Sequence, residues 1–287
     1  MTRVIASATN KGGDGKTEVS IILSEYLTII KKEATLGADL DPQGNYSGYY
    51  LPLEYDPAHK DGKIPPIHPD YNPEEDEDWD GRSSIANVFY GEELIPYPTS
   101  IPELEILPAH SYKLQEAEAV TKNELLEKVH LQLLRFVQLP EVQQAYQNII
   151  LDTPPSKGPL TISGIKACTH IVIPSQMEAD SIEGIYGMMQ LWKQETYARP
   201  AEYPIKLVAI IPNKVRDVNL HQQYLEQLRT LESTKDFVLD HIIKERVIYG
   251  ELRVKQENPK SVFHLPESNA ARKECIAVCE SIFKRMN

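Results

Sequence analysis

The 287-residue chain is 41% apolar and 25% charged, and a chain of this size can bury the core of one large α/β domain. Its formal net charge of −12 excludes a surface that binds nucleic acid on all sides. Its apolar runs are too short to span a bilayer and its three cysteines are too few for a disulfide framework, so we expect a cytoplasmic protein.

The first element is a predicted strand over residues 2–9, followed by a glycine-rich loop and an amphipathic helix over residues 16–31. The loop has the sequence Asn10-Lys11-Gly12-Gly13-Asp14-Gly15-Lys16-Thr17. Its glycines allow a tight turn with inward-facing N–H groups, Lys16 adds a mobile positive charge, and Thr17 places a hydroxyl at the helix start. This pattern predicts a polyphosphate site with Mg²⁺ close to Thr17.

The second lysine of the loop, Lys11, makes it similar to the deviant Walker A motif of P-loop ATPases that include the ParA partition proteins and MinD. The resemblance implies ATP and Mg²⁺ as cofactors. It also implies an ATP-dependent homodimer, because the extra lysine in that family reaches the partner's nucleotide. Lys11 and Lys16 would then both be catalytic. The residues that the resemblance places around the nucleotide are Lys11, Gly12, Gly13, Asp14, Gly15, Lys16, Thr17, Glu18 and Asn213.

One residue of the loop departs from the family pattern. Asp14 stands where family members often have an apolar residue, and a carboxylate that faced the phosphates would repel them. Slow turnover or altered dimerisation would follow from such an arrangement.

A second parallel strand is predicted over residues 36–41, and it runs into Asp39-Leu40-Asp41-Pro42-Gln43-Gly44-Asn45. Acidic residues at the carboxyl end of such a strand favour a ligand crevice, since open α/β sheets bind ligands there. The segment resembles a ParA signature. The resemblance implies that Asp39 is catalytic and positions or activates the attacking water. Asp41 would either support Asp39 or be linked to Mg²⁺, and residues 43–45 would begin a switch loop.

Residues 51–82 are rich in proline, tyrosine and acidic residues; from 54 to 82 there are ten acidic and three basic residues. Such a segment cannot bury enough apolar area to form its own core. We therefore predict an insertion that forms an acidic, solvated loop, with a partner contact through Trp79 as the alternative.

A further strand is predicted over residues 147–152, and it is followed by Asp152-Thr153-Pro154-Pro155-Ser156. This segment resembles the Walker B motif and second switch of the family, which implies that Asp152 holds Mg²⁺ through a water molecule. Lys157 is interpreted as an exposed lysine, with a cation near the nucleotide or the dimer seam as the alternative.

The remaining predicted elements are helices over 83–89, 125–137, 182–192, 219–231 and 270–286 and strands over 104–109, 170–174 and 208–213. Asn213, at a strand end, is a candidate to face the adenine. From residue 241 to 287 there are nine basic and six acidic residues. The resemblance implies DNA contacts in this region, and the candidates are Lys244, Arg246, Arg253, Lys255 and Lys260.

Together these patterns predict an α/β P-loop NTPase fold, with a mostly parallel twisted sheet, helices on both faces and a single domain over residues 1–287. The resemblance implies a ParA-type ATPase that binds double-stranded DNA nonspecifically, is nucleoid-associated, and positions or segregates a cargo with a ParB-like adaptor.

A MinD-like membrane-cycling regulator is the alternative, and it requires a detachable amphipathic helix at the C-terminus. The apolar face of the last predicted helix, which includes Cys275, Cys279, Ile282 and Met286, is expected to pack in the core instead. We therefore do not expect a membrane partner. A metabolic or iron–sulfur enzyme of the same fold is a minor alternative, because the cysteines that would hold a cluster are missing.

Overall fold

The computed structural model describes residues 2–76, 78–201, 203–254 and 261–286. The β-strands are β1 (Arg3–Ser7), β2 (Thr35–Asp39), β3 (Glu54–Tyr55), β4 (Lys63–Ile64), β5 (Tyr97–Pro98), β6 (Leu104–Leu107), β7 (Asn148–Asp152), β8 (His170–Ser175) and β9 (Lys206–Pro212). The α-helices are α1 (Lys16–Glu25), α2 (Ser47–Tyr50), α3 (Asn87–Tyr90), α4 (Ser111–Glu118), α5 (Asn123–Val137), α6 (Pro140–Ala145), α7 (Pro159–Ala167), α8 (Ala179–Tyr197), α9 (Asn219–Thr230), α10 (Val247–Leu252) and α11 (Ala270–Met286).

A seven-stranded sheet organises the fold, with the strand order β5-β6-β2-β7-β1-β8-β9. All neighbouring pairs are parallel except β5 and β6, which are antiparallel. The mostly parallel sheet confirms the predicted fold class. The short edge strand β5 was not predicted, since two residues that include a proline give no period-2 pattern.

Helices cover both faces of the sheet, as predicted. Along β1, Val4 and Ala6 belong to the hydrophobic core that α5, α7 and α8 build on one face. The intervening Ile5 belongs to the core on the other face, which α1 and α11 build. Because side chains alternate along a strand, a central strand between two helical layers buries apolar side chains on both of its faces.

The last helix, α11, packs its apolar face into the core, as predicted. Cys275, Cys279 and Ile282 are fully buried in it. Near its end, the Arg285 guanidinium donates hydrogen bonds to the Phe237 and Val238 carbonyls at 2.8 and 3.0 Å. Among the described residues, no helix combines the length and the apolar character that crossing a membrane requires.

The insertion at residues 51–82 is more ordered than predicted. His68 is buried, and its ring lies 4.5 Å from that of Tyr97 and 5.6 Å from that of Trp79. The Trp79 indole N–H donates to the Arg82 carbonyl at 3.0 Å, and Tyr71 packs edge-on against Trp79. The prediction of a solvated loop is therefore wrong for these aromatic residues. The segment cannot form a core alone, but it shares one with Tyr97 on the edge strand.

A buried carboxyl group joins α1 to the C-terminal region and gives a prediction about stability. Glu25 is 1% exposed, its Oε2 accepts a 2.6 Å hydrogen bond from the Ser261 hydroxyl, and burial raises its pKa to about 7. The folded protein therefore keeps a proton that the unfolded chain releases above its ordinary pKa of 4.5. It follows that the free energy of unfolding falls as the pH rises from about 4.5 to about 7.

Replacing Glu25 with glutamine keeps the shape of the protonated group and removes this titration. The free energy of unfolding of the variant should therefore rise relative to that of the parent as the pH increases. We expect this difference to grow by roughly 2 to 3 kcal/mol from pH 5 to pH 8. Urea unfolding at both pH values measures the gain. Glu280→Gln, on an exposed position of α11, is the control and is expected to show no such change. A gain of the same size in the control would contradict the assignment.

Candidate nucleotide site

The polar carboxyl ends of three neighbouring strands lie side by side at one edge of the sheet. In the register of the sheet, Asp152 of β7 lies beside Ser7 of β1 and Asp39 of β2. The glycine-rich loop follows β1 directly and leads into α1. The carboxyl edge of the sheet therefore brings the loop and both strand-end aspartates together, as the sequence predicted.

The loop depends on two glycines with left-handed backbones. Gly13 has φ +95° and Gly15 has φ +85°, and Gly15 directly precedes α1. A Cβ atom on Gly15 would lie 2.0 Å from Nδ2 of Asn213. No residue with a side chain fits there without displacing Asn213. Asn213 Nδ2 donates to the Asp14 carbonyl at 3.0 Å, so this buried amide braces the loop.

Lys16, Thr17 and Asp152 form the centre of the site. The Thr17 hydroxyl donates to one Asp152 carboxylate oxygen and the Ser20 hydroxyl donates to the other, both at 2.8 Å. Lys16 is 6% exposed, and burial lowers its pKa against the opposing charges of Asp152 and Asp41. A buried ammonium group among carboxylates has lost much of its hydration, so it is poised to bind an anion such as a phosphate.

Asp39 and Asp41 have different surroundings although they are two residues apart. Asp39 is fully buried, and its Oδ2 accepts hydrogen bonds from the N–H and hydroxyl of Ser47 at 2.8 and 2.6 Å. Burial and the neighbouring Asp152 carboxylate raise the pKa of Asp39. Asp41, in contrast, lines the cavity beside Lys16. In this conformation Asp39 therefore holds the start of α2, and Asp41 is the acid that faces the ligand space.

Lys11 and Asp14 both contact the start of α8. The Lys11 ammonium lies 3.3 Å from Glu178 Oε2, 3.7 Å from Asp180 Oδ2 and 3.5 Å from Ser181 Oγ. The Asp14 carboxylate is 2% exposed and accepts a 2.7 Å hydrogen bond from the Ser181 hydroxyl. Asp14 therefore turns away from the ligand space, which removes the expected repulsion between this carboxylate and the phosphates.

A cavity of about 620 Å³ opens in front of the glycine-rich loop. One part of its wall consists of loop and switch residues that the sequence predicted, among them Gly12, Lys16, Thr17, Asp41 and Gln43. Sequence reasoning missed most of the remaining wall, which includes Leu53, Glu54, Tyr55, Lys63, Lys214 and Arg253. Only Lys214 had a sequence signal, because it follows Asn213 directly at the carboxyl end of a strand.

The residues predicted to contact DNA that the structure describes are paired with acidic side chains. Lys244 pairs with Asp217 at 2.9 Å, and the Arg246 Nε lies 3.1 Å from Glu274. Arg253 differs from the expectation, because α10 turns it towards α1 and its guanidinium pairs with the buried Glu18 carboxylate at 2.8 Å. Lys255 and Lys260 lie outside the described residues.

The donor set suits a magnesium ion that is held mainly by a nucleotide. Within the described part of the chain, no group of three or more His, Cys, Asp or Glu side chains is placed to hold a metal. Mg²⁺ usually keeps several waters and takes one or two carboxylates plus substrate phosphates, all through oxygen. Thr17 and Asp152 present such oxygens 2.8 Å apart, so the residues fit the ion without forming a complete cage.

Comparison with known proteins decides the family. A family model described as an AAA domain matches residues 2–199. The sporulation initiation inhibitor protein Soj of Bacillus subtilis is 31% identical over 185 residues, which cover 64% of this chain and 62% of that protein. The chromosome-partitioning ATPase Soj of Treponema pallidum is 30% identical over 194 residues, which cover 68% and 65%.

The chain belongs to the ParA/MinD family. The matches span less than two thirds of the length of either Soj protein. A structure of McdA from Cyanothece in complex with ATP has the same fold, with a TM-score of 0.75 over 98% of this chain and 96% of that one at 15% identity. The ParA/MinD fold therefore extends over almost the whole chain, beyond the residues that the family model matches.

Proposed function

We propose that this chain is a Mg²⁺-dependent ATPase of the ParA type. The arrangement of Lys16, Thr17 and Asp152 carries the proposal, because it places a buried cation and two oxygens suited to a hydrated Mg²⁺ beside the N-terminus of α1. The N–H groups of the loop and the helix dipole favour a bound polyphosphate at that position. Relatives named as partition ATPases support ATP as the nucleotide.

The roles of the side chains follow from what phosphoryl transfer requires, which is positioning and fixed positive charge. Lys16 neutralises the β- and γ-phosphates, and Asp39 orients the attacking water once the residues around Ser47 move aside. Thr17 and, through water, Asp152 would hold Mg²⁺, which supplies positive charge to the phosphates. Asn213 would reach the adenine only after a rearrangement of the loop, because its amide is buried, donates to the Asp14 carbonyl and does not line the cavity.

We propose further that ATP drives formation of a homodimer in which Lys11 acts on the partner's nucleotide. In the single chain the same ammonium group is held by Glu178 and Asp180. The Lys11 side chain is 30% exposed, so these ion pairs are weak enough to exchange for a stronger one. Dimerisation would therefore begin with the release of Lys11 from α8.

Releasing Lys11 by mutation is expected to favour the dimer. The double variant Glu178→Gln, Asp180→Asn removes both negative charges and keeps the side-chain volumes. Since exposed ion pairs contribute about 0.2–1 kcal/mol each and two are removed, we expect dimerisation with a non-hydrolysable ATP analogue to be about 2- to 30-fold tighter. Sedimentation equilibrium measures the dissociation constant, and Glu183→Gln on the same helix is the control. Weaker dimerisation of the double variant would contradict the release step.

We propose further that the dimer binds double-stranded DNA nonspecifically, in the cytoplasm and on the nucleoid. The DNA-bound dimer would position a cargo through a ParB-like adaptor, and this is the output of the ATPase. The dimer would double a modest basic surface that includes Lys244 and Arg246, whose present partners are acidic side chains. DNA phosphates would compete with those acids for the two cations. Affinity should therefore fall steeply as salt rises.

Retention of a random DNA duplex by the purified protein tests this output. We expect retention with ATP and Mg²⁺, little with ADP, and none without nucleotide. Equal retention in all three conditions, or none with ATP at low salt, would contradict the proposal. A salt titration separates phosphate contacts from other kinds of binding. Each neutralised phosphate contributes about −0.9 to the slope of the logarithm of the binding constant against the logarithm of the salt concentration.

A further inference from the structure

The front of the insertion forms a hairpin that reaches the candidate nucleotide site. Its strands β3 and β4 pair Glu54 with Ile64 and Tyr55 with Lys63. We call residues 54–64 the hairpin and residues 41–45, which follow β2, the switch loop. Leu53, Tyr55 and Lys63 line the same cavity as Lys16 and Thr17. The insertion is therefore part of the wall that a bound nucleotide would face.

Lys63 holds the switch loop through two sets of hydrogen bonds. Its ammonium group donates to the Gln43 carbonyl at 2.7 Å. Its backbone N–H donates to the Ser111 hydroxyl at 3.1 Å, and that hydroxyl donates to the Pro42 carbonyl at 2.6 Å. Two consecutive carbonyl groups of the switch loop are thus held through one residue of the hairpin.

The close approach of Leu53 to Gly44 adds to these hydrogen bonds. Gly44 has φ +62°, and a Cβ atom placed on it would lie 3.0 Å from the Leu53 Cδ1 atom. The turn of the hairpin is fixed in its own right, because His59 pairs with Asp56 at 2.8 Å and its ring stacks on Tyr112 at 3.5 Å. The hairpin is therefore anchored on α4, and the switch loop rests on the hairpin.

The charge of Lys63 also belongs to the site. Burial raises the pKa of Asp41, and the Gln43 N–H and the ammonium groups of Lys16 and Lys63 oppose that rise. Asp41 therefore lies within electrostatic reach of a cation from the glycine-rich loop and a cation from the insertion. Both cations line one cavity.

We propose that Lys63 is a positioning residue for ATP hydrolysis, through which the hairpin holds the switch loop and Asp41 in place beside the nucleotide. This inference rests on the proposed ATPase activity. It gives the insertion a role in turnover. Because Lys63 acts on the switch loop and not on the glycine-rich loop, it affects the rate of hydrolysis more than it affects nucleotide affinity.

Steady-state kinetics of Lys63→Ala, Lys63→Arg and Lys60→Ala test the proposal, together with ADP binding and thermal unfolding of each variant. We expect Lys63→Ala to lower kcat about tenfold, while KM for ATP and Kd for ADP stay within about twofold, since misplacing a loop by about 1 Å can have an effect of this size or larger. Arginine can still donate to the Gln43 carbonyl, so Lys63→Arg should recover at least half of kcat. Lys60→Ala, exposed in the turn of the same hairpin, should match the parent.

Parent-like kcat in Lys63→Ala would overturn the proposal. So would an equal loss of kcat and ADP affinity, with a lower unfolding temperature and no recovery by arginine, since that pattern indicates only a folding defect. These results would leave the ATPase proposal intact. A parent protein that binds neither ATP nor ADP would contradict the ATPase proposal and this inference together.

Discussion

Replacing Lys16 with alanine is expected to weaken ATP binding by at least about 100-fold and to abolish hydrolysis. Each hydrogen bond to a charged group contributes about 1.5–3 kcal/mol, and we expect this ammonium group to make two such bonds to the phosphates. The loss extends beyond binding, because the negative charges of Asp41 and Asp152 would no longer be opposed by the Lys16 ammonium group. Titration with a fluorescent ATP analogue and a phosphate-release assay measure the two effects.

The control for Lys16→Ala is Lys193→Ala, which removes one positive charge from an exposed position on α8. It should bind and hydrolyse ATP like the parent. Thermal unfolding of both variants without nucleotide shows whether the fold survives. Normal hydrolysis by a folded Lys16→Ala variant would contradict the assignment of the glycine-rich loop as the phosphate site.

Replacing Asp39 with alanine is expected to slow hydrolysis on the order of 100-fold without loss of ATP binding. The Asp39 carboxyl group, on β2, is buried beside Asp152, and its removal should leave the glycine-rich loop unchanged. The triphosphate form should then accumulate as a dimer. Phosphate release and size-exclusion chromatography with ATP measure the two parts of this result.

Ser47→Ala separates two roles of Asp39. In the described conformation Asp39 accepts both hydrogen bonds from Ser47 and does not line the cavity. If Asp39 orients water during turnover, Ser47→Ala should slow hydrolysis less than about tenfold, because the carboxylate remains. An equal loss in both variants would show that Asp39 acts only by holding α2, and that result would contradict its catalytic role.

The parts of the fold that the sequence could predict are those with a strong local pattern. Buried apolar strands that end in polar residues identified β1, β2 and β7 and placed Asp39 and Asp152 at one edge of the sheet. The helix α11 was predicted with its observed bounds, because its apolar face recurs at helical spacing. Such patterns are properties of contiguous residues, so the sequence alone carries them.

The parts that sequence reasoning missed depend on contacts between distant segments. Nothing around Lys63 indicates that it reaches the Gln43 carbonyl, since strands β3 and β4 have only two residues each. Arg253 looked like one member of a basic run, but its partner Glu18 is 235 residues away in the chain. The burial of His68 against Tyr97 likewise required the tertiary structure. The sequence shows that these residues are charged or aromatic. It does not show which partner each of them contacts.

In the proposed dimer, two lysines of one glycine turn serve two nucleotides, Lys16 in its own chain and Lys11 in the partner. This arrangement can be tested by light scattering of the Asp39→Ala variant with ATP and Mg²⁺, with and without an added Lys11→Ala substitution. We expect twice the 32.6 kDa mass of the chain for Asp39→Ala and the single mass for the double variant. A single mass for Asp39→Ala with ATP bound, or a dimer that persists without Lys11, would contradict this arrangement.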